Sequence, residues 1–110
     1  MNSAVLFGIY TARFPYLDSG SDKIRPVIVI SRPHGPHNAV AVVPISSKMT
    51  RTPVDVMLND WQEAGLMKPS IARVHRLTTM LQSDLASQLG VLGLVDIHAL
   101  KRSLRNLLQL

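Results

Sequence analysis

The sequence predicts a small, mainly β domain: a strongly bent antiparallel barrel with one helix packed against it. Short runs rich in Val and Ile recur along the chain, clusters of Gly, Pro, Asp, Asn and Ser separate them, and only the last stretch, from about Leu94, spaces its apolar residues as a helix would. With 110 residues, 46% apolar and 17% charged, the chain closes one core rather than two, and is neither disordered nor a coiled coil. A single domain spanning 1–110 is expected.

Val5 to Phe14 reads as a first strand, closed by Pro15. The turn-rich stretch PYLDSGSDK, from Pro15 to Lys23, follows and is long enough to lie over a site. KIRPVIVIS comes next; its apolar part, Pro26 to Ile30, should be central, with Arg25 at its entrance where a charge still reaches solvent. After the stiff loop RPHGPHN, Ala39 to Ile45 forms a third strand, whose Pro44 implies an edge or a bulge because proline cannot donate to a ladder. Ser46, Ser47, Lys48 and Arg51 lead to a fourth strand, Val54 to Leu58. Asn59 to Gly65 has the form of one helical turn, capped by Asn59 or Asp60 and stopped by Gly65. Pro69 to Thr79 is the fifth strand, and Ser83 should cap a short helix, DLASQL, ended by Gly90. In the closing helix Ile97, Leu100, Leu104, Leu107 and Leu108 make one apolar stripe. Lys101, Arg102 and Arg105 occupy its other side, where cations suit the dipole of a helix end.

Composition narrows the functions. Without cysteine there is no disulfide, thiolate metal site or thiol catalysis. The opening MNSAVLFGIYTARFP lacks the charge and length of a signal peptide, and no apolar stretch approaches the ~20 residues of a membrane span, so a soluble cytoplasmic protein is expected. A net charge of +5 and a pI near 10.3 favour a polyanionic partner, nucleic acid or an acidic protein.

The charges are most suggestive in PSIARVHRLTT, Pro69 to Thr79. On a strand Ala72 and Val74 enter the core while Arg73 and His75 share the other face, about 6 to 7 Å apart, a width that fits one phosphate. The same pattern describes a half-buried strand with a solvated basic face, and periodicity alone does not separate the two.

The segments ARFPYLD, KIRPVIVIS, VVPISS, GLMKPSIARVHRLTT and the ending LGVLGLVDIHALKRSLRNLLQL stand in the order and at the spacing of one family. From about Gly8 to Leu110 the chain resembles the MazF/PemK toxin endoribonucleases. That resemblance implies an SH3-like barrel, a homodimer, sequence-selective cleavage of single-stranded RNA (mRNA) without a metal or other cofactor, and a cognate antitoxin that occupies the same groove. It places Arg25 on the family's arginine that contacts the scissile phosphate, and Ser46 and Ser47 on its Ser/Thr pair. Arg73 falls on the arginine proposed as acid and phosphate stabiliser in PemK-like members, and His75 stands where those members carry an acidic base. Thr78 replaces an arginine; Arg76 supplies a cation nearby, but alternation puts it on the opposite face. Phe7 and Gly8 stand where the family has Gly-Asp.

The residue types suit that chemistry. RNA brings its own nucleophile, the 2′-hydroxyl, so cleavage to a cyclic phosphate needs a base, an acid for the leaving oxygen and positive charge for the phosphorane. Arginine binds phosphate oxygens in pairs, and imidazole moves protons near neutral pH. Arg73, His75 and Arg25 are the catalytic candidates; Ser46, Ser47, Lys48 and Arg76 are the RNA-binding ones. Asp18 is a second candidate base if the first loop folds over the site. His34 and His37 have a metal-like spacing, but a zinc site needs more ligands than these two. Trp61 could stack a base or fill core, and His98 reads as a helix surface residue. Two other readings remain open: a same-fold toxin that binds a protein such as DNA gyrase, and a non-catalytic SH3-like binder of nucleic acid or peptide.

Overall fold

The Val- and Ile-rich runs pair into the centre of one antiparallel sheet. In the computed structural model, which describes residues 3–13 and 24–110, β1 (Gly8–Arg13), β2 (Ile24–Val29) and β3 (Ala39–Ser46) lie side by side with β2 in the middle. Val27, Ile28 and Val29 are all fully buried, because the sheet is covered on both faces. One face carries Ile9, Ile28, Val43 and Ile45 toward the helix; the other carries Ala12, Val27, Val29, Val40 and Val42, closed over by Met80. A strand buried on both sides has no reason to alternate, hence the unbroken apolar run.

Four further strands complete the sheet among the described residues: β4 (Val56–Met57), β5 (Ile71–Ala72), β6 (Thr78–Leu81) and β7 (Leu85–Val91), in the order β4-β5-β3-β2-β1-β7 with β6 also on β3. There are thus seven strands rather than five. The path runs from β4 to β7 without closing, so the barrel-like fold is a bent open sheet with the helix α1 (Leu94–Leu108) packed on it.

Pro44 marks the main irregularity. Ala39 to Val42 pair with Leu81 to Thr78, whereas Ile45 and Ser46 pair with Ala72 and Ile71. Between these two ladders residues 73–77 leave the sheet opposite Val43 and Pro44. Pro44 has no N–H to offer, and its carbonyl accepts the Arg73 N–H at 2.8 Å. β3 is therefore not an edge strand; the break falls on its partner. The stretch predicted as one strand, Pro69 to Thr79, is instead β5, a 3-10 turn at Val74–Arg76, and β6. Ala72 and Val74 do enter the core, both fully buried.

The helix expected after Ser83 is also absent. Gln82–Asp84 form a 3-10 turn, and Leu85–Val91 become β7 on the outer edge of β1, from Ala12↔Leu85 to Gly8↔Val91. Pairing with an open strand edge outweighs the helix preference of Leu, Ala and Gln. Gly90 accordingly stops nothing. A Cβ there would stand 2.3 Å from the Ala64 carbonyl oxygen, and one on Gly65 (φ +94°) would stand 2.2 Å from that of Leu89. The 59–65 turn, which does end at Gly65, therefore lies directly on β7. Asn59 and Asp60 do not cap it; their N–H groups are themselves bound by the buried Asp96 carboxylate of α1, at 2.8 and 2.9 Å.

Leu100 is fully buried, and Ile97, Leu104 and Leu107 pack beside it, while Leu108 lies half-exposed, off the stripe. Ser103, on the same helix, donates to the Val54 carbonyl. That bond fixes the segment just before β4, which holds Asp55.

Candidate active site

Three segments converge at the break in β3's pairing: the end of β3, the 48–55 connection, and the turn Val74–Arg76. They enclose a cleft of about 390 Å³ lined by Arg25, Ser46, Lys48, Arg51, Arg73, His75 and Arg76 among others. Six of the seven predicted site residues thus meet in one place. Ser47 lines an adjoining, more apolar cleft of about 430 Å³, which shares Arg25 and Ser46 with the first. Among the described residues, five cations and one imidazole line the first cleft, and no carboxylate does. Arg76 is on the side of Arg73 and His75, contrary to the expectation from alternation, because the backbone there turns as a 3-10 helix and period two does not apply.

What joins Arg73 to His75 is Asp55, a residue the sequence did not single out. Its carboxylate is fully buried, yet satisfied on both oxygens. One oxygen, Oδ1, stands 2.8 Å from His75 Nδ1 and 3.4 Å from the His75 N–H; the other, Oδ2, accepts the Thr52 N–H at 2.9 Å and lies 3.7 Å from Arg73 Nη1. Burial pushes the Asp55 carboxyl up, but the hydrogen bonds from the Thr52 N–H and from His75 outweigh it and hold the group below its ordinary value. Asp55 is therefore ionised at neutral pH. An ionised carboxylate only accepts, so the proton between the two groups belongs to Nδ1 of the imidazole.

Arg73 is held as firmly. Its guanidinium donates to the Lys48 carbonyl at 3.0 Å, to the Thr50 carbonyl, and weakly to Ser46 Oγ at 3.5 Å, and its side chain is 12% exposed. Ser46 Oγ also accepts the Lys48 N–H at 3.1 Å. The guanidinium so braces the 46–50 segment from below while its charge stays at the cleft. The side chains of Arg51 and Arg76 make no ion pair or hydrogen bond among the described residues, and both residues are exposed.

Other candidates fall elsewhere. Trp61 is partly buried against the core and does not line the cleft. His98 is exposed on the helix, and His34 and His37 are exposed around their turn. Among the described residues no three His, Asp or Glu side chains gather as metal ligands. Phe7 adopts a positive φ of 63° and bonds Val29 and Leu92 through its backbone, a structural task for the position where Gly-Asp was missed. Asp18 and the loop from Pro15 to Lys23 lie outside the described residues.

Comparison with known proteins follows the same lines. The profile of the PemK-like, MazF-like toxins of type II toxin-antitoxin systems matches residues 7–108. No curated protein matches. Similar solved structures include the Mycobacterium tuberculosis toxin MazF-mt6, 28% identical with a TM-score of 0.72 over 94% of this chain and 97% of that one. MazF from Deinococcus radiodurans superposes with a TM-score of 0.77 at 18% identity, over 100% of both chains. An endoribonuclease from a mycobacterial species, in complex with its cognate antitoxin, gives 0.75 at 14% identity, over 97% of this chain and 96% of that one. The latter two bear on the fold alone.

Proposed function

Since the chain belongs to the PemK-like, MazF-like toxin family of type II toxin-antitoxin systems, we propose that its basic cleft cleaves single-stranded RNA, sequence-selectively, by attack of the substrate's own 2′-hydroxyl. The observation that carries this reading is the cleft lining among the described residues: five arginines and lysines around one imidazole. A scissile phosphodiester seated there meets Arg25 and Arg76 at its non-bridging oxygens, where planar guanidinium forks bind in pairs. Lys48, Ser46 and Ser47 extend the contacts along the strand. Arg73, pinned by the Lys48 and Thr50 carbonyls, supplies a fixed positive charge for the phosphorane without having to move as it forms. His75 takes the 2′-hydroxyl proton, the O2′–P bond forms, and the P–O5′ bond breaks. The departing O5′ gains a proton from the Arg73 side, where the family resemblance puts the acid. Products are a 2′,3′-cyclic phosphate and a 5′-hydroxyl. Because the nucleophile and the proton acceptor are both supplied, the scheme calls for no metal.

The same reading makes a cognate antitoxin the natural occupant of the cleft, with acidic groups in place of phosphates, and pairs two copies in a cytoplasmic homodimer whose basic surfaces join. Incubating the purified protein with a long RNA in EDTA tests it. Discrete fragments ending in 5′-hydroxyls, with DNA of the same sequence intact, are expected. Intact RNA under EDTA, with cleavage restored by added metal, would overturn the scheme; RNA intact under every condition would favour a toxin that acts on a protein.

A further inference from the structure

We infer that Asp55 is the positioning residue for His75: a buried carboxylate that fixes the imidazole as the Nδ1–H tautomer and so makes Nε2 the atom that takes the 2′-hydroxyl proton. The inference rests on the reading of the cleft as catalytic, and deepens it by one residue and one atom.

The geometry is specific. Asp55 is fully buried while the His75 side chain is 32% exposed, so one edge of the ring is committed to the protein and the remainder is open at the cleft. Nδ1 is the committed nitrogen, 2.8 Å from Oδ1, and the backbone N–H of His75 points to the same oxygen at 3.4 Å. Ring and backbone are thus oriented together. The 3-10 turn is what permits this, because it brings the main chain and Nδ1 of one residue over a single acceptor. A buried charge is costly unless paired, and Asp55 is paired from two sides: Thr52 and Arg73 hold Oδ2, leaving Oδ1 to the histidine. When Nε2 takes a proton, the resulting imidazolium already has its counter-charge in place. Among the described residues the other charged groups near the pair are cations: Arg25, Lys48, Arg51 and Arg76 around the cleft with Arg73, and Arg102 of α1, which with Arg51 flanks Asp55 from the other side. None competes with Asp55 as the acceptor for Nδ1–H.

Nitrogen-15 NMR of the whole labelled protein at mildly alkaline pH, with His75 assigned by its loss in His75→Ala, reads the tautomer directly. Protonated Nδ1 and bare Nε2 are expected; the Nε2–H tautomer would overturn the proposal whatever the activity. Kinetics give the second arm. Asp55→Asn should lower kcat by up to about 10⁴-fold with little change in KM, the loss reached when the aspartate of a serine-protease triad is so replaced. If His75→Ala abolishes cleavage while Asp55→Asn cleaves at the normal rate, Asp55 is only a structural ion-pair partner. If His75→Ala itself cleaves normally, the base assignment of the underlying reading fails, and the tautomer then records structure without catalysis. Should Asp55→Asn not fold, the tautomer of the unmodified chain still decides.

Discussion

The proposed mechanism gives Arg73 two tasks, charge for the phosphorane and bracing of the 46–50 segment, and substitutions test both. Arg73→Ala removes fixed charge from the transition state, which should lower cleavage on the order of 10²- to 10³-fold, as losing one oxyanion donor does. It also strips partners from the solvent-accessible Lys48 and Thr50 carbonyls, so a loss of about 0.5 to 1.5 kcal/mol in denaturant unfolding is expected. Arg73→Lys keeps the charge but not the fork, and should recover little of either. Unchanged stability in both variants would contradict the bracing role. His75→Ala should remove the acidic limb of the pH–rate profile, since a base must be unprotonated to act. His75→Asp would recreate the acidic residue that the resemblance puts at this position, but not in the surroundings it needs. A carboxylate at 75 would face the buried Asp55 carboxylate, and like charges so close disfavour each other. His75→Asp alone should therefore be less active than His75→Asp combined with Asp55→Asn, and the reverse order would count against the pairing. Asp55 also sets an acid limit on stability. Its folded carboxyl titrates below the unfolded value of 3.8, so its contribution is present above that value and disappears as pH falls through the lower folded one. Melting temperature should fall more steeply below about pH 4 in the unmodified protein than in Asp55→Asn.

At the scale of elements, the strands that build the core were legible and the pieces that build the site were less so. β1, β2 and β3 announce themselves because burial demands β-branched residues there, and α1 because its stripe faces that core. The 69–79 segment misled because its apparent alternation runs across a break that depends on a distant residue, Pro44; Ile71 and Ala72 before the break are both buried, and only β6 after it alternates. β7 misled because its partner edge, on β1, is some 75 residues away, as in the bond from the Ser87 N–H to Thr11 Oγ1 with a separation of 76. Asp55 escaped for a similar reason. It sits between Val54 and Val56, where alternation sends it outward, and its histidine lies 20 residues on. The contact between the 59–65 turn and β7 can be tested without reference to function. Gly65→Ala or Gly90→Ala would put a Cβ within 2.2 or 2.3 Å of a backbone carbonyl oxygen, and each should cost more than the ~1 kcal/mol of an ordinary glycine replacement. A melting point equal to the unmodified protein's would mean that β7 and the turn are farther apart than described.

For the molecule as a whole, the placement of charge matters more than its total. Among the described residues five lysines and arginines line one cleft, while the carboxylate beneath them is buried and spent on internal partners. RNA affinity should therefore fall with salt, with a slope of about −0.7 per phosphate contacted on a single strand, and binding indifferent to salt would contradict the groove. No helix among the described residues is long and apolar enough to cross a membrane. The central claim is that this cleft uses the substrate's own hydroxyl as nucleophile. An RNA identical to a cleaved one, but with a single 2′-deoxyribose on the 5′ side of the scissile phosphate, tests that claim most directly. It should bind with nearly unchanged affinity and remain uncut at that phosphate, while sites elsewhere on the same strand are still cleaved; cleavage at the deoxy position at the normal rate would show that the nucleophile comes from elsewhere, and that the roles given to His75 and Arg73 are wrong.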